Sequence, residues 1–340
     1  MTDRRTRRPA VWAMLAIFVL VPLAAAAQGA TLKTVDFESQ AVGRAMKYNI
    51  LLPRSYDTST SRYPVLYLLH GLTQNYTAWG LQNGAPFYSA LFDDLIVVMP
   101  DAGNSWYINY AVSEAGAKSA WEDLIVKDVV RHVDWNFRTI ARREGRALSG
   151  LSMGGFGAMA LGLRNPDLFI SIGSTSGALE YARQFGDRMR GIPPRRAAPP
   201  AQALSPAQRA AAEEARKRPN PLIGLAGFSS QEERTPKGQP FERAEDADAY
   251  DPFKLILQVP KEKLPHIYVD CGTEDRLIEA ARAFAQILLE RDIQFDFMQM
   301  PGAHNPDYWI QEIGHLMAVQ YEVMQRALGQ RPSGLGRRAS

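Results

Sequence analysis

Residues 146–155, RALSGLSMGG, contain a strand candidate, Arg146–Ser149, that runs into a glycine-rich turn. An apolar helical stretch, Met153–Arg164, follows the turn and stops before Asn165-Pro166. Ser152 therefore lies between two glycines on a sharp strand-to-helix turn, the pattern of a nucleophile elbow. Glycine is needed on both sides because a Cβ there would clash on so tight a turn. The stretch predicts a nucleophilic serine in preference to a phosphate-binding or purely structural turn.

Outside this stretch, short β-like runs alternate with amphipathic helical runs, which predicts a mostly parallel sheet with helices on both faces. Several strand candidates are continuous apolar runs, as expected for strands buried on both sides. The predicted strands are Ala45–Leu52, Val65–His70, Leu95–Met99, Arg146–Ser149, Phe169–Gly173, His266–Cys271 and Phe295–Met300. The predicted helices are Ser119–Phe137, Met153–Arg164, Leu277–Glu290 and Tyr308–Ala327.

One segment interrupts this alternation. From about Arg183 to Ala249 the composition shifts to Pro, Arg, Ala and Glu. We interpret this segment as an insertion above the sheet, partly helical at Ala207–Lys217 and partly flexible. It is either a cap over the substrate site or an elaborated loop. The predicted domain covers residues 28–328, and the polar tail 329–340 is predicted to be disordered.

The first 27 residues are predicted to be a secretory signal peptide. A basic stretch, Arg4–Arg8, precedes an apolar run, Val11–Leu23, and then four alanines, with cleavage expected after Ala27. An uncleaved anchor is the alternative, and Thr6-Arg7-Arg8 only loosely resembles a twin-arginine signal, so Sec export is favoured. We therefore expect an exported protein, periplasmic or extracellular, with no membrane span after signal removal.

Charge and cysteine content exclude several classes of function. The four arginines of the leader, against Asp3, account for the whole formal charge of +3, so nucleic-acid binding is not expected. The one cysteine, Cys271, cannot form a disulfide within the chain and is interpreted as a small residue at a strand end. No Cys/His spacing indicates a metal site, and no cofactor is expected.

A base must activate Ser152, and it is found by elimination among five histidines. With this turn, the expected chain order is serine, acid, histidine. Two of them, His70 and His132, precede Ser152 and are out of order. His266 begins a predicted strand, and His315 lies inside an apolar helical stretch. The remaining one, His304, follows the last predicted strand in the loop Pro301–Pro306 and is the predicted base.

The acid is expected after the preceding strand, in the sequence Asp270–Asp275. Asp275 opens the next helix and is the predicted acid, with Glu274 as its nearest rival. Asp270 is interpreted as a structural carboxylate. The oxyanion hole is predicted from two backbone N–H groups, those of Leu72 after the second strand and Met153 at the elbow.

Six stretches also occur in a characteristic order: LLHGL at 68–72, VMPDAGNSWY at 98–107, WEDLIVKD at 121–128, GLSMGG at 150–155, DCGTED at 270–275 and PGAHN at 301–305. In these stretches the chain resembles the esterase D family of α/β-hydrolases. That family includes tributyrin and feruloyl esterases, S-formylglutathione hydrolases and antigen 85 acyltransferases. The resemblance implies the α/β-hydrolase fold, a triad of Ser152, Asp275 and His304, and an oxyanion hole at Leu72 and Met153. It also points to substrate contacts at Trp106, Tyr107 and Glu122, with loop packing and a helix-start carboxylate as the respective alternatives.

The leading hypothesis is an exported carboxylesterase acting on short-chain or aryl esters through an acyl-enzyme, without metal or cofactor. An acyltransferase using the same residues is the alternative, and a non-catalytic binding module is the third. Export argues against a cytoplasmic S-formylglutathione hydrolase. The expected partner is a small-molecule ester, and a homo-oligomer is left open.

Overall fold

The computed structural model describes residues 30–193 and 234–330. The predicted signal peptide, the helical candidate 207–217 and nearly all of the predicted tail lie outside these residues. Within 30–193 and 234–330, no helix is both long enough and apolar enough to cross a membrane.

An eight-stranded sheet forms the centre of the fold, in the order β1-β2-β4-β3-β6-β7-β9-β10. From β4 to β10 every neighbouring pair is parallel, whereas β2 runs antiparallel to both of its neighbours. A separate two-stranded ribbon pairs β5 with β8. The mostly parallel sheet predicted from the sequence is therefore confirmed. The strands are β1 Thr31–Ser39, β2 Arg44–Leu52, β3 Val65–Leu69, β4 Ile96–Pro100, β5 Val112–Ser113, β6 Arg146–Leu151, β7 Ser171–Thr175, β8 Gly238–Gln239, β9 His266–Gly272 and β10 Phe295–Met300.

Helices cover both faces of the sheet and enclose two apolar cores. In β3, Val65, Tyr67 and Leu69 belong to one core, and Leu66 and Leu68 belong to the other, as the alternation of strand side chains requires. The α-helices are α1 Ala78–Leu81, α2 Ala85–Ser89, α3 Trp121–Asp123, α4 Val130–Asn136, α5 Met153–Arg164, α6 Tyr181–Met189, α7 Ala244–Asp248, α8 Pro252–Gln258, α9 Ile278–Glu290 and α10 Pro306–Ala327. Helix α10 follows an Asn305 cap whose side chain accepts a hydrogen bond from the Tyr308 N–H.

Several elements differ from the sequence prediction. Strand β1 was not predicted, because its exposed polar side chains leave no apolar run at this sheet edge. The single helix predicted over Ser119–Phe137 is interrupted by a π-helical segment, Leu124–Val129, between α3 and α4. Pattern alone cannot locate such a segment, because the apolar stripe continues through it.

The described ends of the predicted insertion pack into the domain. Helix α6 starts before the predicted boundary and is tied to α7 by the Arg190–Asp248 ion pair, and Arg183 pairs with the buried Asp251 at the start of α8. Strand β8 pairs with β5 in the long loop after β4. These contacts join the two ends of the insertion to each other and place its second end against the loop that follows β4.

Candidate active site

Ser152 lies on a strained turn between β6 and α5. Its φ and ψ are 54° and −113°, a conformation that non-glycine residues rarely adopt. A Cβ on Gly150 would lie 2.4 Å from the Gly154 carbonyl oxygen, and a Cβ on Gly154 would lie 2.3 Å from that of Leu69. Both glycines are therefore required for the close approach of β3, β6 and α5 that raises Ser152 above the sheet edge.

The structure brings the predicted serine, histidine and aspartate together. His304 Nε2 lies 3.0 Å from Ser152 Oγ, and His304 Nδ1 lies 2.8 Å from Asp275 Oδ2. Asp275 follows β9 and His304 follows β10, so parallel neighbouring strands deliver both side chains to one edge of the sheet. The His304 ring also packs edge-on against Trp309, with ring centroids 5.2 Å apart.

Asp275 is held as a carboxylate beside the imidazole. Burial acts to raise the pKa of Asp275. The hydrogen bond and the charge of His304, together with the hydrogen bond from the Leu277 N–H, have the larger effect, so the pKa of Asp275 is lowered. A carboxylate can only accept, so Nδ1 of His304 carries the proton and Nε2 is free to accept from the Ser152 hydroxyl. The rival acid, Glu274, is exposed and instead accepts from Thr273 and from the Gly302 N–H.

The predicted oxyanion donors lie on either side of the serine. A Cβ on Gly71 would lie 2.5 Å from Leu151 Cδ1 and 3.5 Å from Ser152 Cβ, so the loop carrying Leu72 packs directly against the elbow. Met153 is the first residue of α5, where backbone N–H groups have no partner within the helix. Both predicted donors therefore lie at the elbow.

Asp270 is the structural carboxylate that the sequence predicted. It is fully buried in β9, and its Oδ1 accepts from Thr175 Oγ1 and, at 3.0 Å, from the hydroxyl of Tyr308 in α10. Burial raises the pKa of Asp270 to about 7 against the opposing effect of these hydrogen bonds. The carboxyl therefore anchors the start of the helix that follows His304.

Asp270→Asn is expected to remove a pH-dependent loss of stability. Between the ordinary pKa of 3.8 and the folded value of about 7, the unfolded chain releases this proton and the folded chain keeps it, so rising pH destabilises the fold. Each pH unit is worth about 1.4 kcal/mol, so the stability of the native protein relative to the variant should fall by about 4 kcal/mol from pH 4 to pH 8. Denaturant unfolding at several pH values measures this difference. If the free energies of unfolding of the native protein and the variant change with pH in the same way, the prediction is contradicted.

Two of the three predicted substrate contacts are corrected by the structure. Glu122 is buried, and its carboxylate is occupied by Arg164, Asn165 and Tyr250. It therefore ties α3 to the end of α5 and to the turn between α7 and α8 rather than meeting a substrate. Tyr107 is completely buried and donates from its hydroxyl to the His70 carbonyl oxygen at 2.9 Å. Both side chains were misassigned because their burial depends on distant segments.

Trp106 remains a candidate for substrate contact. It is half-buried, has a φ of 58°, and stacks face to face on Tyr181 of α6, with ring centroids 3.5 Å apart. It also meets Phe156 of α5 edge-on at 5.9 Å. Sequence reasoning missed Tyr181 and the neighbouring Phe241, because no local pattern links the ends of the insertion to the loop after β4.

Cys271 is buried at the end of β9, as predicted, and burial raises the pKa of its thiol. Among residues 30–193 and 234–330, no group of three or more His, Cys, Asp or Glu side chains could hold a metal ion.

Comparison with known proteins assigns the family. A protein-family model described as "Putative esterase" matches residues 39–316. The chain belongs to this esterase family. The family resemblance and the α/β-hydrolase fold predicted from the sequence are therefore confirmed.

Named relatives of this esterase-family chain include an esterase of Mycobacterium tuberculosis strain H37Rv. It is 37% identical over 159 residues, which are 44% of this chain and 33% of the relative. The chain thus spans about a third of the length of that relative. The acetyl esterase of Caldicellulosiruptor saccharolyticus is 25% identical over 74% of this chain and 81% of its own length.

Among solved structures, the S-formylglutathione hydrolase of Staphylococcus aureus superposes with a TM-score of 0.60 at 20% identity. The match covers 86% of this chain and 99% of that enzyme. At this identity the likeness shows the fold alone.

Proposed function

We propose that this member of the esterase family is a serine carboxylesterase that hydrolyses short-chain or aryl esters through an acyl-enzyme. The single observation that carries the proposal is the continuous hydrogen-bonded chain from Ser152 Oγ through His304 to Asp275. A hydroxyl, a correctly protonated imidazole and an ionised carboxylate in this order are what acyl transfer to serine requires.

The proposed reaction has two steps. Ser152 Oγ attacks the ester carbonyl while His304 Nε2 takes its proton, and the N–H groups of Leu72 and Met153 bind the oxyanion. His304 then protonates the leaving alcohol, and the acyl group stays on Ser152. Water then attacks the acyl-enzyme carbonyl while His304 Nε2 takes its proton. His304 returns this proton to Ser152 Oγ, and the carboxylic acid is released.

The activity on aryl esters in this proposal is supported by the aromatic surroundings of Trp106. Its stack on Tyr181 and its contact with Phe156, one turn beyond the serine, place aromatic surface at the start of α5. The endo-1,4-beta-xylanase/feruloyl esterase of Xylanibacter ruminicola, whose name includes an esterase for an aromatic acyl group, is 29% identical over 46% of this chain and 23% of its own length. Export to the periplasm or beyond is part of the proposal and rests on the leader sequence.

Acyl transfer to an alcohol is the second candidate function. The diacylglycerol acyltransferase/mycolyltransferase Ag85A of Mycobacterium leprae is 28% identical over 172 residues, 48% of this chain and 49% of that protein. The first half-reaction is the same for both functions. They differ only in whether water or another alcohol attacks the acyl-enzyme.

A panel of esters, assayed on the native protein and on Trp106→Ala, tests the proposal. We expect hydrolysis of acetyl, butyryl and hydroxycinnamoyl esters by the native protein. The variant should lose about tenfold in kcat/KM on the aryl ester relative to the alkyl esters, because an aromatic contact is removed. Trp135→Ala is the matched control, since Trp135 is an exposed tryptophan on α4. It lies beside Phe37 and His132, not beside the rings of Tyr181 and Phe156 that contact Trp106.

Added alcohol separates the two functions. Under the hydrolysis proposal, the ester is turned over to free acid when no alcohol or sugar acceptor is present. Turnover that occurs only when an acceptor is present would replace hydrolysis by acyl transfer. An equal loss on aryl and alkyl esters in Trp106→Ala would contradict the aryl contact.

A further inference from the structure

The loop carrying the predicted oxyanion donor Leu72 is held from the loop after β4. We call residues 70–73 the oxyanion loop and residues 101–104 the β4 loop. The Ala102 N–H donates to His70 Nε2 at 3.1 Å, so this nitrogen must be unprotonated and the proton must reside on Nδ1. Nδ1 in turn donates to the Gly71 carbonyl oxygen at 2.8 Å. The His70 ring is completely buried, so this arrangement has no competition from water.

Fixing the Gly71 carbonyl also fixes the direction of the Leu72 N–H. The two groups belong to one planar trans peptide and point in opposite directions. The Gly71 oxygen is held by His70 and also accepts from the Gln74 N–H at 3.2 Å. On the other side of Leu72, the Thr73 N–H donates to Asn104 Oδ1 at 2.8 Å. The β4 loop therefore holds the oxyanion loop on both sides of its donor.

The β4 loop is in turn held by two residues of the insertion, Arg234 and Thr235, at the start of the second described range. The carbonyl oxygen of Arg234 accepts from the Asn104 N–H at 3.0 Å and leaves no room for a Cβ on Gly103, which would lie 2.5 Å away. Arg234 Nη2 lies 2.9 Å from Asp101 Oδ1, with the arginine side chain only 6% exposed. Thr235 Oγ1 accepts from Asn104 Nδ2 at 3.0 Å, which orients the Asn104 amide so that its oxygen faces Thr73.

We infer that Arg234 is a positioning residue for the oxyanion hole, an inference that rests on the proposed function. Its ion pair and backbone hold the β4 loop, whose contacts with His70 and Thr73 aim the Leu72 N–H at the substrate. Arg234 touches neither Ser152 nor His304 in the contacts of the described residues. We call these contacts of Arg234 with the β4 loop the clamp. Through the clamp the insertion contributes to kcat, independently of any contact that it makes with a substrate.

The test compares Arg234→Gln with Arg183→Gln in the full-length protein. Both variants remove an arginine from a largely buried pair with aspartate, but the Arg183–Asp251 pair joins α6 to α8 and does not reach the oxyanion loop. Arg234→Lys, which keeps a cation near Asp101, is the rescue variant. Active sites are titrated with a fluorophosphonate so that rates are expressed per functional molecule. The readouts are kcat, KM, inhibition by a phenylboronic acid, and hydrogen exchange of residues 70–74.

An oxyanion donor acts in the transition state, so kcat should fall while KM stays nearly constant. Loss of a whole donor costs about 10²-fold or more, and we expect a displaced donor in Arg234→Gln to cost about tenfold. Boronate inhibition should weaken by a similar factor, and exchange in residues 70–74 should rise. Arg234→Lys should recover part of each effect, and Arg183→Gln should lower thermal stability only.

An unchanged kcat in Arg234→Gln, an equal loss in Arg183→Gln, or unchanged exchange of residues 70–74 would overturn the inference. Failure of the proposed function has a different signature: the native protein would hydrolyse no ester and would not be labelled at Ser152. The hydrogen-exchange comparison still decides the clamp in that case, because it needs no substrate.

Discussion

Ser152→Ala is expected to lower kcat for ester hydrolysis by about 10⁴-fold or more and to abolish covalent labelling by a fluorophosphonate. The variant removes the hydroxyl that lies 3.0 Å from His304 Nε2, and with it the covalent route. Any residual rate would come from water acting within the remaining oxyanion hole. Purified variant and native protein are compared with a chromogenic ester, and mass spectrometry of the labelled native protein locates the adduct.

Ser149→Ala is the matched control for this experiment. Ser149 lies in β6, three residues before Ser152, but its hydroxyl is buried and meets no hydrogen-bond partner in the described part of the chain. We expect nearly unchanged kcat and labelling. Labelling that persists in Ser152→Ala, or an activity loss of the same size in Ser149→Ala, would show that another group carries the chemistry.

The features that the sequence predicted well are those that follow from local pattern or chain order. The elbow at Ser152 is encoded by adjacent residues. A Cβ at position 150 or 154 would lie less than 2.5 Å from a backbone carbonyl oxygen, so both positions require glycine. Asp275 and His304 were found although they are distant in sequence, because the carboxyl ends of parallel strands share one edge of the sheet. Topology converts order along the chain into proximity.

The features that the sequence missed depend on which distant segments meet. Glu122 and Tyr107 occur in stretches shared with the family, yet Arg164, Asn165 and Tyr250 bury the first, and the His70 carbonyl holds the second. No periodicity reports such a pairing. The same limit applies to the stack of Trp106 on Tyr181 and to the contacts of Arg234 with the β4 loop. In both cases the two partners are distant in sequence, and no local pattern links them.

The acid is the member of the site for which the sequence left a rival, and the choice has a large expected effect. Asp275→Asn should lower kcat by about 10⁴-fold, with little change in folding. The asparagine oxygen can keep accepting from the Leu277 N–H, at 2.9 Å in the native protein, which turns the amide NH₂ toward His304 Nδ1. An NH₂ donor there forces the proton onto Nε2, so that the imidazole can no longer take the proton of Ser152. The residual rate of the variant should rise with pH as hydroxide replaces the missing base.

Glu274→Gln provides the comparison for that experiment, because it neutralises the neighbouring carboxylate without touching His304. Its amide oxygen can still accept from the Gly302 N–H, which keeps the loop between β10 and α10 in place. We expect kcat within about threefold of the native value, in line with the small effect of an exposed carboxylate. The pair of variants therefore isolates tautomer control from general loss of negative charge. If Glu274→Gln loses as much activity as Asp275→Asn, then the 2.8 Å contact between Asp275 and His304 is not what orients the base.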